Sequence, residues 1–286
     1  MGERYSLLRQ HYPSFLIHDS VLNMEVPQVP RGEIAVYYRP VDALARLIGE
    51  AKPDEAEKRA VDFASLIRDC SGVSASNLGV SGSIKIGLHT PSSDIDLIVY
   101  GRNESTLVRE AMKHLLSEGN PVRHHHPDEL ERLYHFRVVD TKMPYDQFAQ
   151  HEARKTFQGI YRDREFFIRY LPNSSEIGEA YGDIQYHTEG YVKIKALVSD
   201  ASESFYTPCR YRLTQVEVLE GPVASDIVEA VSFRGRFCEQ AETGETVVLQ
   251  GKLEWVITAA GSHRRVLLGG TPSDSMISLS LLNTQK

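Results

Sequence analysis

Cysteine is scarce: Cys70, Cys209 and Cys238 stand far apart and no C-x-x-C pair occurs. That excludes a disulfide scaffold and a zinc ribbon, and it predicts free thiols in a reducing, cytoplasmic chain. No apolar run approaches the roughly 18 residues of a membrane-crossing helix, so no membrane partner is expected. The opening MGERYSLLRQHYPSF carries charges but no apolar stretch of a secretory signal. Gly2 is followed by Glu3 and Arg4, a poor context for myristoylation. A basic excess is also missing, since 32 Lys and Arg face 39 Asp and Glu for a net charge of −7. This argues against a molecule coated in basic surface for nucleic acid, though a local basic groove is compatible with it. Neither H-E-x-x-H nor a G-x-S-x-G elbow occurs, so a zinc hydrolase and a serine nucleophile both lack their motif.

What is present is ordinary for a soluble globular chain: 286 residues, 41% hydrophobic and 25% charged. At about 100–200 residues per domain, the length fits two domains, or one with a large extension. Three stretches are expected: an N-terminal arm and helical segment over 1–71, a core over 72–173 and a β-rich part over 174–286. Pro27 and Pro30 read as an extended arm. Leu44, Leu47 and Ile48 continue a helical turn series after Val41 and Asp42. Ala56, Ala60, Phe63, Ala64 and Ile67 recur at helical spacing, with Pro53 at the first helical position and Gly72 as the stop. Residues 78–101 read as strand, Gly-rich turn, connector and strand. Asn103 then caps a helix whose stripe is Leu107, Val108, Ala111, Met112, Leu115 and Leu116, ended by Gly119. A further helix is expected from Asp128, and a strand over 164–172. Beyond a linker near 173–180, strands are expected over 191–198, 210–221, 246–257 and 264–270, with one helix over 223–231. The fold class is therefore α+β: a small mixed sheet with helices on one side, then a mostly antiparallel, barrel-like β domain.

The sharpest feature is Gly82-Ser83 followed by Asp94-Ile95-Asp96. Strand residues two apart share a face, so Asp94 and Asp96 present paired carboxylates while Ile95, Leu97 and Val99 face the core. Two adjacent carboxylates repel unless a divalent cation lies between them, and Mg²⁺ takes a few carboxylates and completes its shell with water and phosphate oxygens. A tight Gly-Ser turn lets backbone N–H groups and a small hydroxyl approach a phosphate. Lys85 has the reach for a triphosphate, or is a solvated strand-edge lysine. Phosphate cradle plus metal carboxylates is the equipment of phosphoryl or nucleotidyl transfer.

The string G-S-(x)10-D-h-D-h, here Gly82, Ser83, Asp94, Ile95, Asp96 and Leu97, resembles the signature of the DNA polymerase beta-type nucleotidyltransferase superfamily. The wider chain, with its FFIR strand and TPCRY segment, resembles a group of archaeal predicted nucleotidyltransferases that brings no established substrate with it. The resemblance implies that Gly82 and Ser83 hold the phosphates of a nucleoside triphosphate. It also implies that Asp94 and Asp96 bind Mg²⁺ or Mn²⁺, and that a third carboxylate on a later neighbouring strand completes the site. Glu165, Asp183 and Asp140 are the candidates for that acid, Glu165 first. If none serves, the chain binds nucleotide or RNA without transferring efficiently. The expected partners are a nucleoside triphosphate and an acceptor, RNA or another macromolecule.

Other features have plainer readings. Three consecutive imidazoles, His124, His125 and His126, diverge on any regular element, and an exposed loop is expected. Arg162, Arg164, Arg169, Arg210 and Arg212 interleave with Tyr161, Tyr170, Tyr206 and Tyr211, which suits either a nucleic-acid surface or ordinary sheet faces. The segment SFRGRF, 232–237, has the same ambiguity. Trp255 is expected in the core.

Overall fold

The computed structural model describes residues 2–139 and 142–282. Helix α1 (Gly2–His11) leads to a small hairpin of β1 (Leu16–Asp19) and β2 (Met24–Pro27), then α2 (Pro40–Ile48) and α3 (Glu55–Ser71). The core continues as β3 (Leu78–Val80), α4 (Gly82–Ile86), β4 (Ile95–Tyr100), α5 (Arg102–Glu118), β5 (Val122–Arg123), α6 (Pro127–Val138) and α7 (Tyr145–Glu152). It closes with β6 (Gln158–Tyr161) and β7 (Arg164–Leu171). The chain then runs through β8 (Gln185–Asp200), β9 (Cys209–Glu220), β10 (Ile227–Ser232), β11 (Thr246–Thr258), β12 (Gly261–Leu268), β13 (Ser275–Ser278) and α8 (Leu279–Leu282). The α+β expectation holds.

The first large sheet has the order β3-β4-β7-β6-β5, with β4 and β7 parallel and the other pairs antiparallel. One face carries Ile95, Leu97, Val99, Phe166, Ile168 and Tyr170, all buried in the hydrophobic core with Phe63 and Ile67 of α3 and Val108 and Met112 of α5. Alternation then leaves the even positions of β4 and the odd positions of β7 on the opposite face, where the chemistry lies.

The helix signals were read close to register. Helix α3 begins two residues beyond the expected start at Pro53, because Asp54 is its cap: the Asp54 carboxylate accepts from the Glu57 N–H at 2.9 Å, and the Asp54 N–H donates to the Glu57 carboxylate. Helix α5 begins at Arg102 with Gly101 as cap, not at Asn103, and Leu107 points outward. The Gly-rich turn after β3 is itself one turn of helix, α4.

The second large sheet follows the order β12-β10-β9-β8-β11-β13, and β11 pairs with β12 as well, so five strands close on themselves. All pairs are antiparallel except β10 with β12. Two expectations fail here. Residues 223–231 do not form a helix: Ile227–Ser232 is a strand held between β9 and β12, where ladder pairing on both edges overrides a spacing compatible with either element. Trp255 is exposed, because a register shift between Leu253 and Glu254 turns the alternation over. Glu254 is buried in its place and pairs with Arg265 at 2.8 Å.

Side chains from both large sheets belong to one buried cluster, from Leu44 to Met276. Polar bonds cross the same boundary. Buried Glu239 accepts from the Thr156 N–H and from Arg109, each at 2.6 Å. Arg154 pairs with Glu245 at 2.9 Å. The Ser278 N–H donates to Nε2 of buried His151 at 3.2 Å.

Candidate active site

Strand β4 and the residue before it carry Asp94 and Asp96. The Ser81 N–H donates to the Asp96 carbonyl at 2.8 Å, which fixes the end of β3 beside the acids. Gly82 follows at φ +61°, and a Cβ there would overlap the Asp96 carboxylate. The glycine of the Gly-Ser pair is thus required twice, by its left-handed backbone and by the carboxylate lying against it. Ser83 comes next, its hydroxyl without a partner among the described residues.

In the parallel pairing of β4 with β7, Ile95 lies opposite Phe166 and Asp96 opposite Phe167. One step back along both strands puts Glu165 opposite Asp94. All three acids line one open cleft of about 540 Å³ with His125, Arg137, Gln158, Phe167, Arg169 and others. Burial, then the neighbouring Asp94 charge, pushes the Asp96 carboxyl up to about 6, with Arg169 opposing. Glu165 is raised as well, by partial burial and then by Asp94. Two carboxylates forced together with too little positive charge beside them are a donor set suited to a hard divalent cation. Among the described residues, no group of three or more His, Cys, Asp or Glu side chains converges tightly enough for one ion. Asp94 and Asp96 are paired on one strand face, and Glu165 stands beside them on β7.

The other candidates for the third acid lie elsewhere. Asp183 is in an exposed turn, accepting from the Ala180 N–H at 2.7 Å, and does not line the cleft. Asp140 falls outside the described residues. Lys85 lines a separate groove with Tyr37, Tyr38, Arg39 and Arg46.

A model of the nucleotidyltransferase domain family matches residues 70–156. The uncharacterized protein MJ1086 of Methanocaldococcus jannaschii is 30% identical over 268 residues, 93% of this chain and 77% of its own. The chain belongs to the DNA polymerase beta-like nucleotidyltransferase superfamily. The matched region contains Gly82, Ser83, Asp94 and Asp96 and ends before Glu165. No helix among the described residues is long and apolar enough to cross a membrane.

The floor behind the cleft is a buried polar network that the motifs did not reveal. Lys155, 1% exposed, donates to Glu152 at 2.7 Å and to the Arg236 carbonyl at 2.7 Å. Arg137 reaches the same Glu152 at 3.3 Å and donates to Gln158 at 2.5 Å, and Gln158 in turn bonds Glu152. Burial pulls Lys155 below its ordinary range. Burial pushes Glu152 the other way, but the cations Lys155 and Arg137 outweigh it and hold Glu152 low. The only sequence signal was a stretch, 136–157, with no clean period. That stretch holds the end of α6 and all of α7.

The histidine run is a loop, but only His126 is exposed; His124 and His125 are half-buried and pulled down by burial, and His125 faces the cleft. The interleaved Arg and Tyr residues are not a stacking surface. Tyr161, Tyr170, Tyr206 and Tyr211 are buried in the core. Arg162 pairs with Asp62, and Arg210 and Arg212 pair with Glu229. Arg169 alone of that set lines the cleft, its guanidinium 5.7 Å from the Phe167 ring.

Proposed function

We propose that the protein is a metal-dependent enzyme that moves a nucleoside monophosphate from a nucleoside triphosphate to an acceptor, in a reducing cytoplasmic setting. The observation that carries this reading is the pair Asp94 and Asp96, set side by side with Asp96 pressed against Gly82 and raised to about 6. Both carboxylates would hold Mg²⁺ or Mn²⁺, which neutralises charge on the phosphates when bound. Gly82 and Ser83, on the β3 flank, would receive the triphosphate tail. The acceptor oxygen bonds to the α-phosphorus, the bond from that phosphorus to the β-phosphate bridge breaks, and pyrophosphate leaves. The acceptor's proton passes to Glu165, whose raised affinity for protons suits a base. The rest of the rate enhancement comes from positioning and fixed charge, with no covalent protein intermediate. The folded segments 72–173 and 174–286 would act as catalytic core and acceptor-facing part.

A second reading, a nucleotide- or RNA-binding protein without transfer, is favoured by one observation: Glu165 does not join Asp94 and Asp96 in a three-acid cluster. One experiment separates the two. The melting temperature is measured with each of the four NTPs, with and without Mg²⁺ or Mn²⁺, beside the D94N/D96N variant. A ligand at about 100 times its Kd adds about 2.7 kcal/mol of stability. The transferase reading expects a metal-dependent rise that the variant loses, followed by pyrophosphate release with acceptor present. Binding that survives in the variant, without pyrophosphate release, would establish the second reading.

A further inference from the structure

The strand order separates the cleft into two chemically different flanks. Gly82 and Ser83 follow β3 on one side of the β4 acids; β7 and β6 lie on the other. The second flank is lined by arginines from three places. Arg169 projects from β7 on the same face as Asp96. Arg137 comes from α6, held by Glu152 and Gln158. Arg234 and Arg236 come from the loop after β10, in the second sheet.

That loop is fastened over β7. Gly235 lies so close to the Phe167 ring that a Cβ would stand 2.5 Å from it. The Arg236 carbonyl accepts from buried Lys155, and its guanidinium donates to the Arg137 carbonyl at 3.4 Å. Arg137 and Lys155 share the single carboxylate of Glu152, and of the two cations it is Arg137 that lines the cleft. Arg137 and Arg236 are therefore cross-braced, the Arg234 guanidinium donates to the Gly269 carbonyl at 3.4 Å, and Arg169 lies beside the Phe167 ring.

Displacement at a phosphorus places the attacking and leaving oxygens roughly in line, on opposite sides of it. If pyrophosphate leaves towards Gly82 and Ser83, the acceptor must arrive over β7, among these arginines. Guanidinium groups in a fixed arrangement match the oxygens of a phosphate, often two at a time. We infer that the acceptor of this enzyme carries a phosphate ester, and that Arg137, Arg169, Arg234 and Arg236 bind that phosphate and so orient the attacking group. The inference rests on the transferase reading for its geometry. It gives the SFRGRF segment a role in acceptor binding and makes the second sheet a contributor to the site.

The test is titration calorimetry on the full chain without metal or nucleotide. Two probes carry the shared chemistry: a ten-residue oligoadenylate RNA and ribose 5-phosphate, with ribose as the uncharged control. The variants are R169Q and R234Q. Both side chains sit outside the Glu152–Lys155 brace, and circular dichroism checks each fold. Binding of the Mg²⁺ complex of the nucleotide chosen by the melting screen is measured in parallel on the same proteins and on D94N/D96N. At least one phosphate probe is expected to bind, ribose is not, and each arginine variant should weaken that probe by about tenfold or more. Mg-nucleotide affinity should change by less than about threefold in R234Q, and collapse in D94N/D96N. RNA binding would identify a strand as the phosphate source; ribose 5-phosphate binding alone would identify a small molecule. The proposal is overturned if neither probe binds at millimolar concentration. It is equally overturned if R234Q weakens Mg-nucleotide as much as the probe, which would place Arg234 on the triphosphate. A D94N/D96N variant with unchanged Mg-nucleotide affinity would instead sink the transferase reading, and the phosphate titrations would still be readable.

Discussion

Asp96 is the residue on which charge, burial and motif meet. Its carboxyl is raised to about 6 from an ordinary 3.8, so the folded, metal-free protein holds that proton more tightly than the unfolded chain does. Stability from this source is present below about pH 4 and is lost as the pH rises through 6. In metal-free protein, Asp96→Asn should therefore be more stable than the wild type at pH 7.5, by at most about 2 kcal/mol once residual solvent screening is allowed for. The advantage should vanish near pH 4. Urea melts of both proteins at the two pH values check this, and an unchanged difference between them would refute the assignment of cause. Gly82→Ala makes the opposite prediction at the neighbouring position. A methyl group forced against the Asp96 carboxylate at positive φ should cost about 1–3 kcal/mol and displace the acid pair. Melting temperature and Mg-nucleotide affinity should fall together; a variant that loses neither would show that the close approach is not required.

At the scale of elements, helix α7 acts as the suture between the sheets. His151 is buried and pulled down to about 4, by burial first. Its Nδ1 lies 2.6 Å from the Gln147 carbonyl and its Nε2 accepts from the Ser278 N–H, which defines a neutral ring protonated on Nδ1. The unfolded chain takes up a proton near pH 6.5 and the folded one does not until near 4. Stability is therefore complete above 6.5 and declines as the pH falls towards 4, by up to about 3 kcal/mol. A titration of folding free energy against pH should show this slope and lose it in His151→Gln. Glu152, one residue on, neutralises two cations in the floor of the cleft. Glu152→Gln leaves Lys155 buried without its carboxylate and should cost about 3–5 kcal/mol, measured by denaturant melts. A loss below about 1 kcal/mol would mean that water reaches the network.

For the molecule as a whole, the continuity of the core matters more than the division suggested by the motifs. Buried side chains run without interruption from Leu44 to Met276, and Glu239, Glu245 and Ser278 bond across to Thr156, Arg154 and His151. Calorimetry should show one cooperative unfolding transition for the full chain, with equal calorimetric and van't Hoff enthalpies. Two separate transitions would show that the sheets unfold independently. The arrangement also has a functional consequence: the loop from the second sheet that covers Phe167 depends on the same braces, so loosening the contact should alter the cleft before it unfolds the protein.

Features written in local chemistry were legible from residues alone. Gly82-Ser83 and Asp94-x-Asp96 announce a turn and a same-face acid pair within a short span, and Pro53 and Gly72 bracket helix α3. Alternating apolar positions marked β4, β7, β8 and β9, because burial on one face of a strand needs no knowledge of its partner. The rest depended on pairing between distant segments. Ile227–Ser232 became a strand through its neighbours on both edges, and a bulge in β11 exchanged Trp255 for Glu254 in the interior. Glu165 reached Asp94 through the parallel register of β4 with β7, and Arg234 and Arg236 reached the cleft through Gly235 resting on Phe167. None of those relations has a periodic signature, since each is set by which surfaces meet when the two sheets bury a common core.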